Sequence, residues 1–179
     1  MIKHVIFDID GVFTTGQFLY DVNGKAYKIF GPHDFDGLKM LRKLNVTINF
    51  ISADKRGFAI TKKRIVTDCG FNEDQLTLVT EETRFAWIKE RFNLSEVAFV
   101  ADGYHDAPIL EQVALGIAPN SARREAKAAA KYVTESDAGN GAVLDACLII
   151  KNEITSTLIA EYESVREKMV QQDHNRISV

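Results

Sequence analysis

Short apolar runs alternate along most of this chain with stretches of helical periodicity. A short apolar run predicts a strand that is buried on both faces, and the helical stretch after it predicts the crossover to the next parallel strand. Repeated units of this kind predict an α/β fold, in which a Rossmann-like parallel sheet is flanked by helices. The predicted strands lie at residues 5–7, 46–51, 76–79, 97–100, 115–118 and 132–134.

One segment interrupts this alternation between the first strand and the first helix. Residues 17–20 and 25–30 flank Asn23-Gly24, a dipeptide that strongly favours a tight β-hairpin. The pattern therefore predicts an inserted hairpin at about residues 17–30, and the length of the chain leaves no room for a large cap domain. Predicted helices lie at about 36–44, 56–68, 82–92, 106–113, 122–130 and 142–150.

The last residues carry apolar side chains at helical spacing, from Ile154 to Met169. We therefore expect a separate amphipathic helix over about 152–179, with a polar end. The predicted domain organisation is one α/β domain over residues 1–150 and a C-terminal helical tail over residues 151–179.

Composition and charge argue against several kinds of partner. With 22 basic and 25 acidic side chains the net charge is -3, and there is no basic stripe, so we expect no nucleic-acid partner. No apolar run approaches the ~20 residues of a membrane span, and the first residues do not resemble a signal peptide. Cys69 and Cys147 lie far apart and fit free thiols in a reducing compartment. We expect a cytoplasmic protein without a membrane partner.

Two carboxylates stand directly after the first predicted strand. The apolar run Val5-Ile6-Phe7 ends in Asp8 and Asp10, and Gly11 follows. Carboxylates beside a hydrophobic core repel each other and lose hydration, so they usually require a cation or a chemical role. This motif predicts a magnesium-dependent site with a carboxylate nucleophile.

Other polar residues follow the later strands. Ser52 follows the second strand, Arg84 stands near the start of the helix after the third, and Asp102 and Asp106 follow the fourth. Because ligands bind at the carboxyl ends of the strands in an open α/β sheet, we expect these side chains to converge on one edge. Carboxylates, a hydroxyl and a cation together suit phosphoryl transfer through an aspartyl-phosphate.

The same residues resemble the motifs of the haloacid dehalogenase superfamily of phosphatases. The resemblance implies that Asp8 is the nucleophile, and that Asp10 protonates the leaving oxygen and then activates water. It also implies Mg²⁺ as the cofactor, held by the Asp8 carboxylate, the Asp10 backbone carbonyl and Asp102.

The resemblance assigns the remaining strand-end residues as well. Ser52 is expected to hydrogen-bond a phosphate oxygen, and Arg84 to balance the phosphate charge. Asp106 is expected to lie behind the metal ligands and to orient Asp102 or the basic residue. Lys89 is the less favoured alternative to Arg84, since Arg84 stands closer to Asp102 in sequence than the corresponding lysine of similar proteins does.

A closer resemblance is to the capless subgroup that contains 3-deoxy-D-manno-octulosonate 8-phosphate phosphatases. It rests on Asp-x-Asp-Gly-Val before a short Asn-Gly hairpin, on a Phe-x-x-x-Asp-x-x-Gly segment at residues 30–37, and on a Gly-rich turn at residues 139–147. The similarity spans about residues 3–150. Members are typically tetramers in which the hairpins pack together and help cover a neighbour's active site. The resemblance thus implies a homo-oligomer, with a tetramer favoured, and a phosphorylated eight- or nine-carbon sugar acid as substrate.

Departures from the subgroup fall at positions that concern the substrate. The subgroup has Gly-Arg after the strand-ending serine, whereas this chain has Ala53-Asp54, and an aspartate would repel a sugar carboxylate. Residues 33–35 of this chain are His-Asp-Phe, where the subgroup has Arg-Asp-Gly. The last acidic motif of this chain also lacks the middle carboxylate that the subgroup has. The candidate substrate contacts are His33, Asp34, Asp54 and His105.

The sequence therefore predicts a Mg²⁺-dependent phosphomonoesterase that acts through an aspartyl-phosphate, on a sugar acid such as 3-deoxy-D-manno-octulosonate 8-phosphate. Two alternatives stay open. The first is a phosphatase for another small sugar phosphate or metabolite, which the lost cationic positions favour. The second is a non-catalytic binding or assembly module with the same fold, against which the intact pair Asp8 and Asp10 argues.

Overall fold

A parallel sheet forms the centre of the protein in the computed structural model, which describes residues 1–177 and the side chains as far as Met169. The six-stranded sheet has the order β5-β4-β1-β6-β7-β8, and every adjacent pair of strands is parallel. The strands are β1 His4–Asp8, β4 Thr47–Ser52, β5 Leu76–Leu78, β6 Val97–Val100, β7 Leu115–Ala118 and β8 Tyr132–Val133. Each overlaps a strand predicted from the sequence, and the predicted α/β fold is confirmed.

The strand β1 lies at the point where the order of the strands reverses. The chain leaves β1 toward β4 and β5 on one side, and later returns to add β6, β7 and β8 on the other. Residues Val5 to Phe7 of β1 are fully buried, as expected for a strand with neighbours on both sides and helices on both faces. Such a reversal leaves a crevice at the carboxyl ends of the central strands.

Helices cover both faces of the sheet. One face packs with Phe7, Phe50 and Leu38 into the larger core, and the other packs with Ile6, Phe99 and Ile88 into a second core. The α-helices are α1 Asp34–Leu41, α2 Phe58–Lys62, α3 Arg84–Arg91, α4 Ala107–Gln112, α5 Arg124–Ala129 and α6 Ala142–Ile177, and a π-helical segment at Lys63–Asp68 continues α2.

The predicted hairpin is present after β1. Its strands β2 (Leu19–Asp21) and β3 (Gly24–Tyr27) pair antiparallel in a sheet of their own, and Gly24 adopts a positive φ of 121° in the turn. A single bridge between Thr14 and Phe30 closes the base of the hairpin. This small sheet stands next to the carboxyl end of β1, where the crevice opens.

The C-terminal region differs from the prediction of two helices. A single helix, α6, runs from Ala142 to Ile177, because the segment contains neither glycine nor proline to interrupt it. Its first turns are buried against the core as far as Ile154, and the apolar side chains beyond it, such as Leu158 and Tyr162, are exposed. Residues 178–179 of the predicted tail lie outside the described residues. Within residues 1–177, each helix is too short or too polar to cross a membrane.

Candidate active site

Most of the polar residues predicted at strand ends line one cavity, and the buried Ser52 lies directly behind its lining residue Asp10. Asp8 is the last residue of β1 and Ser52 the last of β4, and Asp102 follows β6 by two residues. Because β1 pairs in parallel with both β4 and β6, these three strand ends lie side by side. The cavity has a volume of about 330 Å³. Its lining consists of Asp8, Asp10, Gly16, Phe18, Lys25, Ala53, Asp54, Glu81, Arg84, Asp102, Gly103, Tyr104, His105 and Asp106.

Asp8 is buried and held by a cation. Arg84, the first residue of α3, donates from Nη1 to Asp8 Oδ2 at 3.0 Å and to Asp106 Oδ1 at 2.6 Å. The backbone N–H of Ile9 donates to Asp8 Oδ1 at 2.9 Å. Burial raises the pKa of Asp8 to about 8, even though the charge of Arg84 opposes this shift. The carboxylate is therefore oriented at both oxygens but remains costly to ionise in the absence of a further cation.

Three carboxylates at the floor of the cavity could hold a metal ion. Asp8, Asp102 and Asp106 each place one carboxylate oxygen within 4.8 Å of the other two. Burial, together with the nearby charge of Asp106, raises the pKa of Asp102 to about 7. A cluster of partly desolvated carboxylate oxygens is the donor set that a hard divalent cation such as Mg²⁺ prefers, so these residues fit the predicted metal.

Asp106 contributes to this cluster mainly as a support. Its Oδ1 accepts from Arg84, and its Oδ2 accepts from the backbone N–H of Gly103 at 2.9 Å. Both oxygens of Asp106 are thus engaged by protein donors, as are both oxygens of Asp8. Asp106 contacts Arg84, one of the two residues that it was expected to orient, and its position behind the metal ligands stays a prediction.

The close packing of the first loop explains the glycine after Asp10. Gly11 has a φ of 87°, which disfavours any residue with a side chain. A Cβ atom at this position would overlap the carboxylate of Asp102. Gly11 thus allows the loop after β1 to approach the residue that follows β6.

The side chains of Ser52 and Lys28 both contact the carboxylate of Asp10. Ser52 Oγ donates to Asp10 Oδ2 at 2.9 Å and accepts from the backbone N–H of Asp54 at 3.1 Å. Lys28 Nζ lies 2.8 Å from Asp10 Oδ1 and 3.1 Å from Oδ2. Ser52, predicted to bind a phosphate oxygen, is here hydrogen-bonded to the second aspartate of the motif.

Sequence reasoning missed two lysines of the hairpin region that enter the site. Lys25 Nζ lies 2.6 Å from Asp54 Oδ2, and Lys28 Nζ lies 2.9 Å from the same oxygen. Burial opposes the ionisation of Asp54, but the hydrogen bonds from Lys25 and Lys28 outweigh it and lower the pKa to about 2. No local pattern signalled both contacts, because residues 25 and 28 are an odd number apart and strand alternation would point their side chains to opposite faces.

The other predicted substrate contacts are distributed differently. Asp54 and His105 line the cavity, and His105 Nε2 lies 3.8 Å from Glu81. Asp34 is buried in the first turn of α1 and does not line the cavity, and the exposed His33 beside it pairs with Asp36 at 3.6 Å.

The alternative basic residue also lies outside the cavity. Lys89 is exposed on α3 and stands over the ring of Phe85, 5.3 Å from its centroid. Of the two candidates, Arg84 is the one that contacts Asp8.

Comparisons with known proteins identify the family of this chain. A family model described as haloacid dehalogenase-like hydrolase matches residues 85–146. The 3-deoxy-D-manno-octulosonate 8-phosphate phosphatase KdsC of Haemophilus influenzae is 33% identical over 143 residues, covering 79% of this chain and 78% of the relative. The chain belongs to this phosphatase family of the haloacid dehalogenase superfamily. The family resemblance and the enzyme class predicted from the sequence are thereby confirmed.

Solved structures of family members have the same fold as this phosphatase. The cobalt-bound form of the deoxy-D-mannose-octulosonate 8-phosphate phosphatase from Haemophilus influenzae gives a TM-score of 0.70 at 29% identity, covering 83% of this chain and 86% of that one. A probable YrbI family phosphatase from Pseudomonas syringae gives a TM-score of 0.74 at 28% identity, covering 89% of this chain and 93% of that one.

Proposed function

We propose that this phosphatase is a Mg²⁺-dependent phosphomonoesterase that acts through an aspartyl-phosphate on Asp8. The observation that supports this most directly is the position of Asp8, buried at the end of the central strand between Arg84 and the carboxylate cluster. A carboxylate so placed can attack a phosphorus atom only if cations neutralise both it and the incoming phosphate.

Asp8, Asp102 and the backbone carbonyl of Asp10 are the proposed ligands of the metal. A bound Mg²⁺ would neutralise the carboxylates and the developing charge on the phosphoryl oxygens. The family supports a divalent ion, since a relative of 29% identity was solved in a cobalt-bound form.

The proposed reaction has two steps, formation of the aspartyl-phosphate and its hydrolysis. In the first, Asp8 attacks phosphorus in line with the leaving oxygen, to which Asp10 donates a proton. In the second, Asp10 accepts a proton from the water that hydrolyses the aspartyl-phosphate. Arg84 and Ser52 bind the phosphoryl oxygens, and Ser52 must exchange its hydrogen bond to Asp10 for one to the phosphate.

A phosphorylated eight- or nine-carbon sugar acid, such as 3-deoxy-D-manno-octulosonate 8-phosphate, is the proposed substrate. The relative of 33% identity carries that activity in its name. The lysine pair reduces the charge objection raised by Asp54, because Lys25 and Lys28 already neutralise this aspartate. Lys25 also lines the cavity beside Asp54, so this aspartate presents no unpaired negative charge to a sugar carboxylate.

A phosphatase for another small sugar phosphate is the second candidate. It is favoured by His33, which replaces a cation of the subgroup. His33 is exposed and lies away from the cavity of its own chain, so it supplies no cation there for a sugar carboxylate.

Assembly into a homo-oligomer, with a tetramer favoured, is part of the proposal. The hairpin exposes large apolar side chains next to the cavity, and such a patch usually marks an interface. They are Phe18, Leu19, Tyr20, Val22, Tyr27 and Ile29, of which Val22 is fully exposed. We further propose that residues 1–150 act as the phosphatase domain and residues 151–179 as a helical tail.

The test is a substrate screen combined with replacement of the nucleophile. The wild-type chain should hydrolyse phosphorylated sugar acids in preference to neutral sugar phosphates, only with Mg²⁺, and Asp8→Asn should reduce the rate by at least about 10³-fold. Preference for neutral sugars would favour the second candidate. Asp8→Asn with wild-type activity would refute the nucleophile, and a wild-type chain inert toward every phosphate ester would favour a non-catalytic module.

A further inference from the structure

Lys28 is a buried lysine that contacts two carboxylates and a hydroxyl. Its side chain is only 1% exposed, and Nζ reaches Asp10, Asp54 and Thr61, the last at 2.8 Å from Oγ1. A buried ammonium is costly unless it is paired and hydrogen-bonded. Lys28 Nζ donates hydrogen bonds to Asp10 Oδ2 and Thr61 Oγ1, and an ion pair with Asp54 adds a second carboxylate. Contacts to three groups restrict this ammonium to a narrow range of positions.

The three acceptors of Lys28 come from separate parts of the fold. Asp10 belongs to the loop after β1, Asp54 to the loop after β4, and Thr61 to α2, whereas Lys28 itself directly follows β3 of the hairpin. Gly57 leaves space for this junction, since a Cβ atom there would overlap Lys28 Cε and the Asp54 carboxylate. Lys28 thus joins the hairpin to the loop that carries Asp10.

We propose that Lys28 is a positioning residue, which, together with Ser52, fixes the carboxylate of Asp10 in the orientation needed for proton transfer to the leaving oxygen. This inference rests on the proposed role of Asp10 as acid and base. Lys28 contacts both oxygens of Asp10 and Ser52 contacts one, so rotation of the carboxylate about its side-chain bonds is restricted. A group that transfers a proton must be held within hydrogen-bond reach of its target, and misplacement by about 1 Å can cost 10²-fold in rate.

The test uses two substrates that differ in the leaving group. Phenolate needs protonation as it leaves much more than p-nitrophenolate does, and kcat/KM reports only the steps up to formation of the phosphoenzyme. In Lys28→Met, kcat/KM for phenyl phosphate should fall by about 10- to 100-fold, and for p-nitrophenyl phosphate by less than about 3-fold. Asp10→Asn should show the same pattern with a larger amplitude. Lys55→Met, which removes an exposed lysine from the adjacent loop, should change neither value.

A second variant displaces the side chain of Lys28 without removing its charge. Gly57→Ala should displace the ends of the Lys28 and Asp54 side chains, and should give the same selective loss of kcat/KM with phenyl phosphate. If Lys28→Met does not fold, the Gly57→Ala variant tests the proposal instead. Equal losses with both substrates in the folded variants, or no loss with either, would overturn the positioning role. A wild-type chain inert toward both substrates would instead count against the proposed function, so the two failures are distinguishable.

Discussion

Asp34 is a carboxylate that the protein buries without a hydrogen-bond donor. It is 1% exposed, and within the described part of the chain neither of its oxygens has a partner. Burial raises the pKa of Asp34 to about 7, although the charge of Arg64 opposes the shift. Between about pH 4 and pH 7 the folded chain therefore keeps a proton that the unfolded chain releases, and the free energy of unfolding falls as the pH rises.

Replacing Asp34 should remove this pH dependence. The free energy of unfolding of Asp34→Asn minus that of wild type should be larger at pH 8 than at pH 5 by about 2 kcal/mol, because only the wild-type chain loses stability as Asp34 ionises. Denaturant unfolding at the two pH values measures the difference. Asp36→Asn is the matched control, because Asp36 is exposed on the same helix. If the two variants show the same pH dependence, the buried carboxyl is not the cause.

Arg84 and Lys89 give a second prediction at the scale of single residues. Arg84 contacts Asp8 and Asp106, whereas Lys89 is exposed and packs against Phe85. Arg84→Met should lower kcat/KM by about 10²- to 10³-fold, because it removes a charged donor for the phosphate. Lys89→Met should stay within about 2-fold of wild type in the same steady-state assay. The reverse ranking would assign the basic role to Lys89.

The residues of the site differ in how far a sequence can predict them. Asp8, Ser52 and Asp102 could be placed together because parallel strands bring their carboxyl ends to one edge. Lys28 could not be assigned to the site from the sequence, since a lysine beside an exposed hairpin is usually solvated. Its burial depends on the hairpin leaning over the loop of Asp54, and this is a tertiary contact without a local pattern.

At the scale of elements, the loop after β1 depends on two glycines with positive φ. Gly11 and Gly16 have φ values of 87° and 76°, but only at Gly11 would a Cβ atom overlap the carboxylate of Asp102. Both alanine variants should lose about 1 kcal/mol of stability through backbone strain.

Gly11→Ala should in addition raise the Mg²⁺ concentration for half-maximal activity by about 10-fold or more, because it displaces a proposed ligand, and displacement of a group near a metal typically costs 10- to 100-fold in affinity. Gly16→Ala should leave that concentration within about 2-fold of wild type. Mg²⁺ titrations of activity measure both. Equal shifts in the two variants would show that strain, and not the overlap with Asp102, is responsible.

Element boundaries were predictable where a glycine or a strand end marks them, and not where helices merge. The strands β6 and β7 match the predicted runs because burial on both faces makes them continuously apolar. The single helix α6 was expected as two, since its apolar pattern changes when it leaves the core after Ile154. A change of environment alters the pattern of side chains without altering the backbone.

At the scale of the whole molecule, the hairpin and the part of α6 beyond Ile154 each expose several large apolar side chains. The hairpin lies next to the cavity, where Phe18 forms part of the lining, whereas Leu158 and Val165 project from α6 outside the lining of that cavity. A capless site needs something to exclude water during phosphoryl transfer. A second copy packed on the hairpin would bury the apolar patch and cover the cavity together.

This argument predicts which surface holds the copies together. The wild-type chain should sediment as a tetramer, and Val22→Asp combined with Tyr20→Asp should yield smaller species, because each change puts a charge in place of buried apolar surface worth about 1.5–3 kcal/mol per side chain. Leu158→Asp combined with Val165→Asp is the matched control on α6 and should remain tetrameric. Analytical ultracentrifugation measures the mass of each. Dissociation of the α6 variant alone would place the interface on the helix, and a monomeric wild-type chain would require each copy to complete its own active site.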